Sequence, residues 1–139
     1  MLNGVNLDMI GERDPAIYGG ISIDELETKI YAWAQELGLT TRCLHTNSEG
    51  DYVDWIHSAR TDADAVIVNP GAWSHYSYAI RDALDILEVP IVEVHLSNIA
   101  EREEWRRHSV VEELAAHRVI GKGPEGYREA LAFLAEAAA

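Results

Sequence analysis

The stretch Ala65-Val66-Ile67-Val68-Asn69-Pro70-Gly71-Ala72 decides how this chain reads. Four apolar residues in a row, with no polar alternation, are what a central strand covered on both faces requires. The run then stops at an asparagine, a proline and a glycine. The same pattern recurs on either side of it in sequence. Leu2-Asn3-Gly4-Val5-Asn6 opens the chain, and Ile91-Val92-Glu93-Val94 runs into His95-Leu96-Ser97-Asn98. If these runs are parallel strands, their carboxyl ends share one sheet edge, which is where open α/β folds bind ligands. Asn6, Asn69, His95, Ser97 and the segment Gly11 to Tyr18 then face a single crevice.

Helical patterns fill the spaces between these runs. Ser22-Ile23-Asp24-Glu25 fits a capping box, and Ile23, Leu26, Ile30, Trp33 and Leu37 recur at helical spacing until Gly38. Thr40 to Leu44 reads as a short β-branched strand. Ser48 caps a second helix that carries Tyr52, Val53, Ile56 and His57 on one side. Tyr78 to Leu87 is helical, and Pro90 blocks its continuation. Glu101 to His108 reads as a helix of about two turns. Arg118-Val119-Ile120 is a last strand, and Gly121-Lys122-Gly123-Pro124 leads into a helix from Glu125 to Ala138.

Strict alternation of strand and helix calls for right-handed crossovers and a parallel sheet. The expected fold is α/β, a flavodoxin-like three-layer sandwich with a five-stranded parallel sheet. Residues 1–139 form one catalytic domain in this reading, with a lid loop at about 11–20. The first strand is a stub where about five residues are usual, which leaves open whether it starts upstream of Met1.

Composition narrows the function classes. The chain has 139 residues, 47% of them apolar and 25% charged, enough for a full core without metal or disulfide staples. No run approaches the length of a membrane span, and no basic-then-apolar leader precedes Asn3. Cys43 is alone, so an intrachain disulfide is impossible, and it reads as a small buried hydrophobe. Together these features point to the cytoplasm. A formal charge of −13 argues against nucleic acid as partner. Any anion site must then depend on locally placed arginines, and Arg102, Arg106 and Arg107 fall within six positions while Arg13 stands beside the first loop. Arg107 reads as part of a solvated face.

The chemistry rests on a few residues. Gly11 to Gly20 is a glycine-bounded polar stretch without periodicity, and loops of that length are often lids. Spacing alone makes Tyr18 a packing tyrosine. An arginine five residues earlier, able to fold back on it, would favour the phenolate and make it a usable base. His75 and His95 each follow a strand end, where hydrogen-bonded structural roles and acid–base roles both remain open. No His-x-x-x-His pair, CxxC or fixed carboxylate spacing implies a metal. His45 and His57 read as structural, and Gly121-Lys122-Gly123 reads as a tight turn because it lacks a Walker pattern. Ser97 has no activating partner in sequence and reads as a ligand-binding hydroxyl.

Taken in order, the motifs resemble one family over almost the whole chain. They are Leu2-Asn3-Gly4-x-Asn6-Leu7, Gly11-x-Arg13-x-Pro15-x-x-Tyr18-Gly19, Asn69-Pro70-Gly71-Ala72-x-x-His75, Arg81-Asp82-Ala83, Glu93-Val94-His95-x-Ser97-Asn98, Arg102-Glu103-Glu104-x-Arg106 and Gly121-x-Gly123-x-x-Gly126-Tyr127. This set is similar to type II 3-dehydroquinate dehydratase. The resemblance implies a flavodoxin-like subunit in a homo-dodecamer, a tetramer of trimers, without metal or cofactor. It also implies trans elimination of water from 3-dehydroquinate through an enolate, giving 3-dehydroshikimate, in the shikimate pathway or in quinate catabolism.

By position the resemblance makes Tyr18 the base, Arg13 the lid arginine that activates it, and His95 the general acid. Asn6 helps hold the water that polarises the enolate oxygen. Asn69, His75, Ser97 and Arg106 bind substrate, with backbone contacts from Leu96. Glu93 orients the histidine, Arg102 supports the site, and Asp82 reaches a neighbouring subunit's site. Val5, Asp8, Trp73 and Ala100 depart from the usual residues, none of them at a catalytic position. Two other readings stay open at this stage. One is a flavodoxin-like binding or regulatory module that kept the fold and lost the chemistry. The other is an FMN protein, disfavoured because no serine/threonine-rich phosphate loop follows the first strand.

Overall fold

In the computed structural model, which describes residues 1–139, β3 (Val66–Asn69) lies at the middle of a five-stranded sheet. All four of its residues are buried, as an uninterrupted apolar run demands. β1 (Leu2–Asn3) and β4 (Ile91–His95) flank it, β2 (Leu44–His45) lies outside β1, and β5 (His117–Ile120) outside β4. Every pairing is parallel, and the order 2-1-3-4-5 is the flavodoxin-like one. No helix is long and apolar enough to cross a membrane.

Two layers of helix cover the sheet. α2 (Ile23–Glu36) and α5 (Glu125–Ala138) pack on one face, where Leu26, Ile30, Trp33, Tyr127 and Leu131 meet Ile67, Val92, Val94 and Val119. α3 (Glu49–Asp62) and α4 (Tyr78–Asp85) pack on the other, where Tyr52, Ile56, Ile80 and Leu84 meet Leu2, Val66, Val68 and Ile91. The alternation of β3 and β4 residues between the two clusters is the period-2 geometry of a strand. Each fully buried aliphatic side chain here contributes about 1.5–3 kcal/mol. Ser22, Ser48 and Ser77 cap α2, α3 and α4, each accepting a backbone N–H in the first turn.

Four sequence expectations need correction. The second strand is Leu44–His45 and not Thr40–Leu44, because β1 offers a ladder of only two residues and pairs Leu2 with Leu44 and Asn3 with His45. The two-turn helix at Glu101–His108 is absent. Two short 3-10 segments, Ile99–Glu101 and Glu104–Arg106, are separated by Arg102 in an extended conformation. Asn98 caps the first through the Ala100 N–H, and the Arg102 carbonyl is taken by the Arg107 side chain at 2.8 Å. His57 is exposed on α3 and takes no part in the apolar face. The segment at 11–20 is also not bare loop. A 3-10 helix, Leu7–Glu12, leads into the single turn α1 (Pro15–Tyr18), started by Asp14 accepting from the Ala16 N–H.

Glycine lets the strand-end loops close on one another. A Cβ on Gly4 would lie 2.5 Å from the Pro70 carbonyl oxygen. At Gly71, with φ of 64°, a Cβ would meet the Val5 carbonyl oxygen equally closely. The loops after β1 and β3 therefore pack backbone to backbone beneath the crevice.

Candidate active site

A crevice of about 460 Å³ opens at the carboxyl ends of β1, β3 and β4. Of the residues expected there, Asn6, Arg13, Tyr18, Asn69, His75, His95, Leu96, Ser97 and Arg106 all line it. Arg102 touches the site through Tyr18, and Glu93 lies beneath His95. Asp82 is not brought in. It is exposed on α4 and has no side-chain hydrogen bond within this chain.

His95 and Glu93 are two residues apart on β4, so their side chains leave the same face. The His95 Nε2–H donates to Glu93 Oε2 at 2.6 Å, which leaves Nδ1 for the crevice. Glu93 is fully buried and is held from two further directions. Ser109 Oγ donates to Oε2 at 2.5 Å, and Arg118 Nε donates to Oε1 at 2.7 Å. Burial alone would raise the Glu93 carboxyl. The bonds from His95 and Ser109 and the Arg118 charge outweigh it and bring the value down to about 2. The carboxylate is thus ionised at any ordinary pH.

Tyr18 closes the other side. It is the last residue of α1 and buries its ring in the α2/α5 core cluster. The Arg13 guanidinium carbon lies 4.0 Å above the ring centroid, a cation–π contact. The phenol oxygen itself is bound by Arg102, whose Nη1 donates at 3.0 Å. That bond is the first cause raising Arg102 above its ordinary value. The expected partner, Arg13, holds the ring, while Arg102 holds the oxygen from 84 residues away. Gly19 follows with φ of 95°, and a Cβ there would come within 2.5 Å of Pro124 Cδ. The end of α1 is in this way seated against the start of α5.

The remaining lining is fixed by bonds to the frame. Asn69 donates through Nδ2 to the Tyr127 hydroxyl at 2.8 Å and accepts from the Gly71 N–H at 3.1 Å, leaving one amide hydrogen for the crevice. The Tyr127 O–H in turn donates to Asn3 Oδ1 at 2.8 Å. His75 Nδ1 donates to the His108 carbonyl at 2.7 Å, so Nε2 is left free. Burial first, then the neighbouring His95 and Arg106, lower the His75 value against the opposing effect of that bond. Asn6 is the one non-glycine residue with positive φ, 68°, and its N–H is held by Asn47 Oδ1 at 2.8 Å. Asn47 in turn donates to Asp8 at 3.2 Å, which keeps that carboxylate engaged outside the crevice lining. Arg106 lies 4.1 Å over the Trp105 ring and is bound by Glu103 at 2.8 Å.

Cys43 stands apart from all this, half-buried, with burial pushing its thiol up to about 11. No three His, Cys, Asp or Glu side chains are grouped to hold a metal ion. Sequence reasoning does not single out Ser109, Arg118, Asn47 or Trp105. Only Arg118 carries a signal, being a charged residue in a short strand beside apolar ones.

The chain resembles known proteins along nearly its full length. Residues 1–135 match the family described as dehydroquinase class II. A 3-dehydroquinate dehydratase from Pelobacter propionicus is 50% identical over 132 residues, covering 94% of this chain and 89% of that protein. The crystal structure of a type II dehydroquinase from Propionibacterium acnes superposes with a TM-score of 0.94 at 47% identity, covering 97% of this chain and 93% of that one. A type II dehydroquinase from Butyrivibrio crossotus gives 0.92 at 38% identity, covering 96% and 93%.

Proposed function

Because the chain belongs to the class II dehydroquinase family, we propose that the crevice between Tyr18 and His95 is where it dehydrates 3-dehydroquinate. The reaction is that of a hydro-lyase, yielding 3-dehydroshikimate and water, in the shikimate pathway or in quinate catabolism. One observation carries the assignment of roles. Tyr18 and His95 face one cavity, and of its proton-carrying groups these two are each held by a charged partner suited to moving a proton.

Tyr18 is the base. With one guanidinium on its oxygen and another over its ring, negative charge on that oxygen is stabilised, and the phenolate takes the proton alpha to the ketone. The electron pair moves onto the carbonyl oxygen as an enolate. Asn6, pinned in its left-handed conformation by Asn47, serves that oxygen. His95 is the acid. Its imidazolium gives the Nδ1 proton to the departing hydroxyl, and the enolate collapses to the conjugated enone as water leaves on the opposite side. Glu93 keeps Nε2–H in place throughout.

Binding uses the rest of the lining. His75, neutral by virtue of its lowered value, offers Nε2 to a substrate hydroxyl. Arg106 and the spare Asn69 amide hydrogen bind further oxygens. Ser97 and the Leu96 backbone meet the substrate carboxylate. Two arginines at the crevice concentrate positive charge where the chain as a whole carries −13. Residues 11–20 act as the lid, closing over substrate with Arg13 and Tyr18.

The working unit in this proposal is a cytoplasmic homo-dodecamer of four trimers. Exposed Tyr78, at the start of α4, and Ile86, just past its end, flank Asp82, which supports an interface there and a role for Asp82 at a neighbour's crevice. The direct test is addition of 3-dehydroquinate to the purified protein. Growth of the enone absorbance is expected. Its absence in a folded sample, with Tyr18 and His95 intact, would overturn the reading.

A further inference from the structure

Behind the His95–Glu93 pair stands a permanent cation that the reaction as described does not use. Glu93 and Arg118 are register partners on β4 and β5, so their side chains lie side by side on one sheet face. Arg118 Nε bonds Glu93 Oε1 at 2.7 Å, and Arg118 Nη1 reaches Glu112 Oε1 at 3.1 Å. The result is an alternating row from crevice to surface: His95, Glu93, Arg118, Glu112. Arg118 is about one-quarter exposed and Glu112 about half, while Glu93 is wholly buried.

We propose that Arg118 is a positioning residue for the dehydration, acting through Glu93 to set how readily His95 gives up its proton. The inference rests on the reading of His95 as the acid. In that reading His95 is charged before proton transfer and neutral after it, so Glu93 loses one of its two cations in every turnover. A buried carboxylate without a counter-charge is costly and would draw the Nε2 proton to itself. Arginine stays charged throughout and prevents this. Glu93 remains an acceptor, Nε2–H remains on it, and Nδ1 is the nitrogen that trades its proton. Before transfer, the same arginine takes up part of the Glu93 charge. The imidazolium is then held less tightly and is a better acid.

The ionisable groups around His95 are few. Glu93 shares its strand, and His75 follows β3 with its ring stacked 6.4 Å away. Arg106 comes from the 104–106 turn, and Glu12, Arg13 and Tyr18 line the crevice from the lid. Arg118 and Glu112 act from β5 and the turn before it. Of these, only Arg118 neutralises Glu93 on its oxygen opposite the histidine.

The test follows the His95 imidazole by NMR, assigned by comparison with His95→Asn, alongside the pH profile of kcat. In Arg118→Met the His95 midpoint and the basic limb of kcat should both move up by roughly one pH unit, with lower kcat on the plateau. Arg118→Lys, which restores the cation, should bring both back most of the way. Glu112→Gln removes a surface carboxylate that competes for Arg118 and should move both slightly the other way. That variant keeps the question answerable if Arg118→Met fails to fold. An unmoved His95 midpoint in a folded Arg118→Met protein, or in Glu112→Gln when that is the variant available, overturns the inference. A midpoint that moves while the kcat limb stays put supports control of His95 by Arg118, and overturns instead the reading of His95 as the acid.

Discussion

His95 stands on a strand whose five residues are all buried, whereas Tyr18 ends a single helical turn followed by two exposed glycines. The His95 side of the crevice, the acid side in the proposed mechanism, is part of the frame. Its histidine, glutamate, serine and arginine come from β4, β5 and the chain between them, and they are bonded to one another without any substrate. The Tyr18 side, the base side in that mechanism, is gathered from distant places. Arg102 crosses 84 positions to reach the phenol oxygen, and Gly19 leans on Pro124. Substitutions on the acid side should therefore disturb both turnover and stability. On the base side they should disturb turnover alone.

The largest effect tests this directly. Tyr18→Phe and His95→Ala should each lower turnover by at least about a hundredfold, the lower range for losing a general base or acid. Their stabilities should differ. Tyr18→Phe keeps the ring in the core and should stay within about 1 kcal/mol of the parent in urea unfolding. His95→Ala removes a buried partner of Glu93 and should cost roughly 2 kcal/mol. Equal losses of stability would erase the distinction between the two sides.

Acid should attack the frame first. Glu93 titrates near 4.5 in the unfolded chain and at about 2 when folded. Its contribution is complete above about pH 4.5 and is lost as the pH falls toward 2, because the unfolded chain takes up the proton first. The amount at stake is on the order of 3 kcal/mol. Unfolding free energies measured from pH 6 down to pH 2.5 should show this slope, and Glu93→Gln should flatten it. An unchanged slope in that variant would mean that Glu93 carries none of the acid sensitivity.

On the base side, Arg102→Met removes the charged bond to the phenol oxygen and leaves the Tyr18 ring in place. Turnover should fall on the order of tenfold, the worth of one charge-assisted hydrogen bond, with the melting curve unmoved. A comparable loss in Arg13→Met, but expressed mainly in KM, would separate the guanidinium on the oxygen from the one over the ring.

These two sides also differ in how far the sequence reveals them. The apolar runs at Val66 and Ile91 announce buried strands, and the polar residues after them must share an edge once the sheet is parallel. Asn69, His75, His95 and Ser97 are legible for that reason. Strand limits are not, because β2 is as long as its partner allows, and β1 offers two residues. The Glu101–His108 pattern misleads for a related reason. Helical propensity there loses to Asn98 capping, to Glu103 binding two arginines, and to Arg102 reaching for Tyr18. Which arginine meets the phenol oxygen is a tertiary fact, and nearness in sequence favoured Arg13. Ser109 is an ordinary serine until Glu93 is known to lie beside it.

The smallest effect concerns a residue on neither side. Asp82 is exposed on α4, outside this chain's crevice, so it tests whether a third element completes the site from another subunit. Within one chain its loss removes no hydrogen bond, and a surface carboxylate change should shift stability by no more than about 0.5 kcal/mol. If Asp82 serves a neighbour's crevice, Asp82→Ala should raise KM severalfold while leaving kcat near the parent value, since the acid and base stay within their own chain. Sedimentation should show the parent as a dodecamer and the variant assembled less tightly. The decisive comparison mixes Asp82→Ala with Tyr18→Phe subunits. A shared site lets one parent-like crevice form where the Tyr18 of the first meets the Asp82 of the second, and KM in the mixture should fall toward the parent value. A mixture that keeps the raised KM, or a monomer with full activity, would return Asp82 to an ordinary helix-surface carboxylate and leave the crevice complete within one chain.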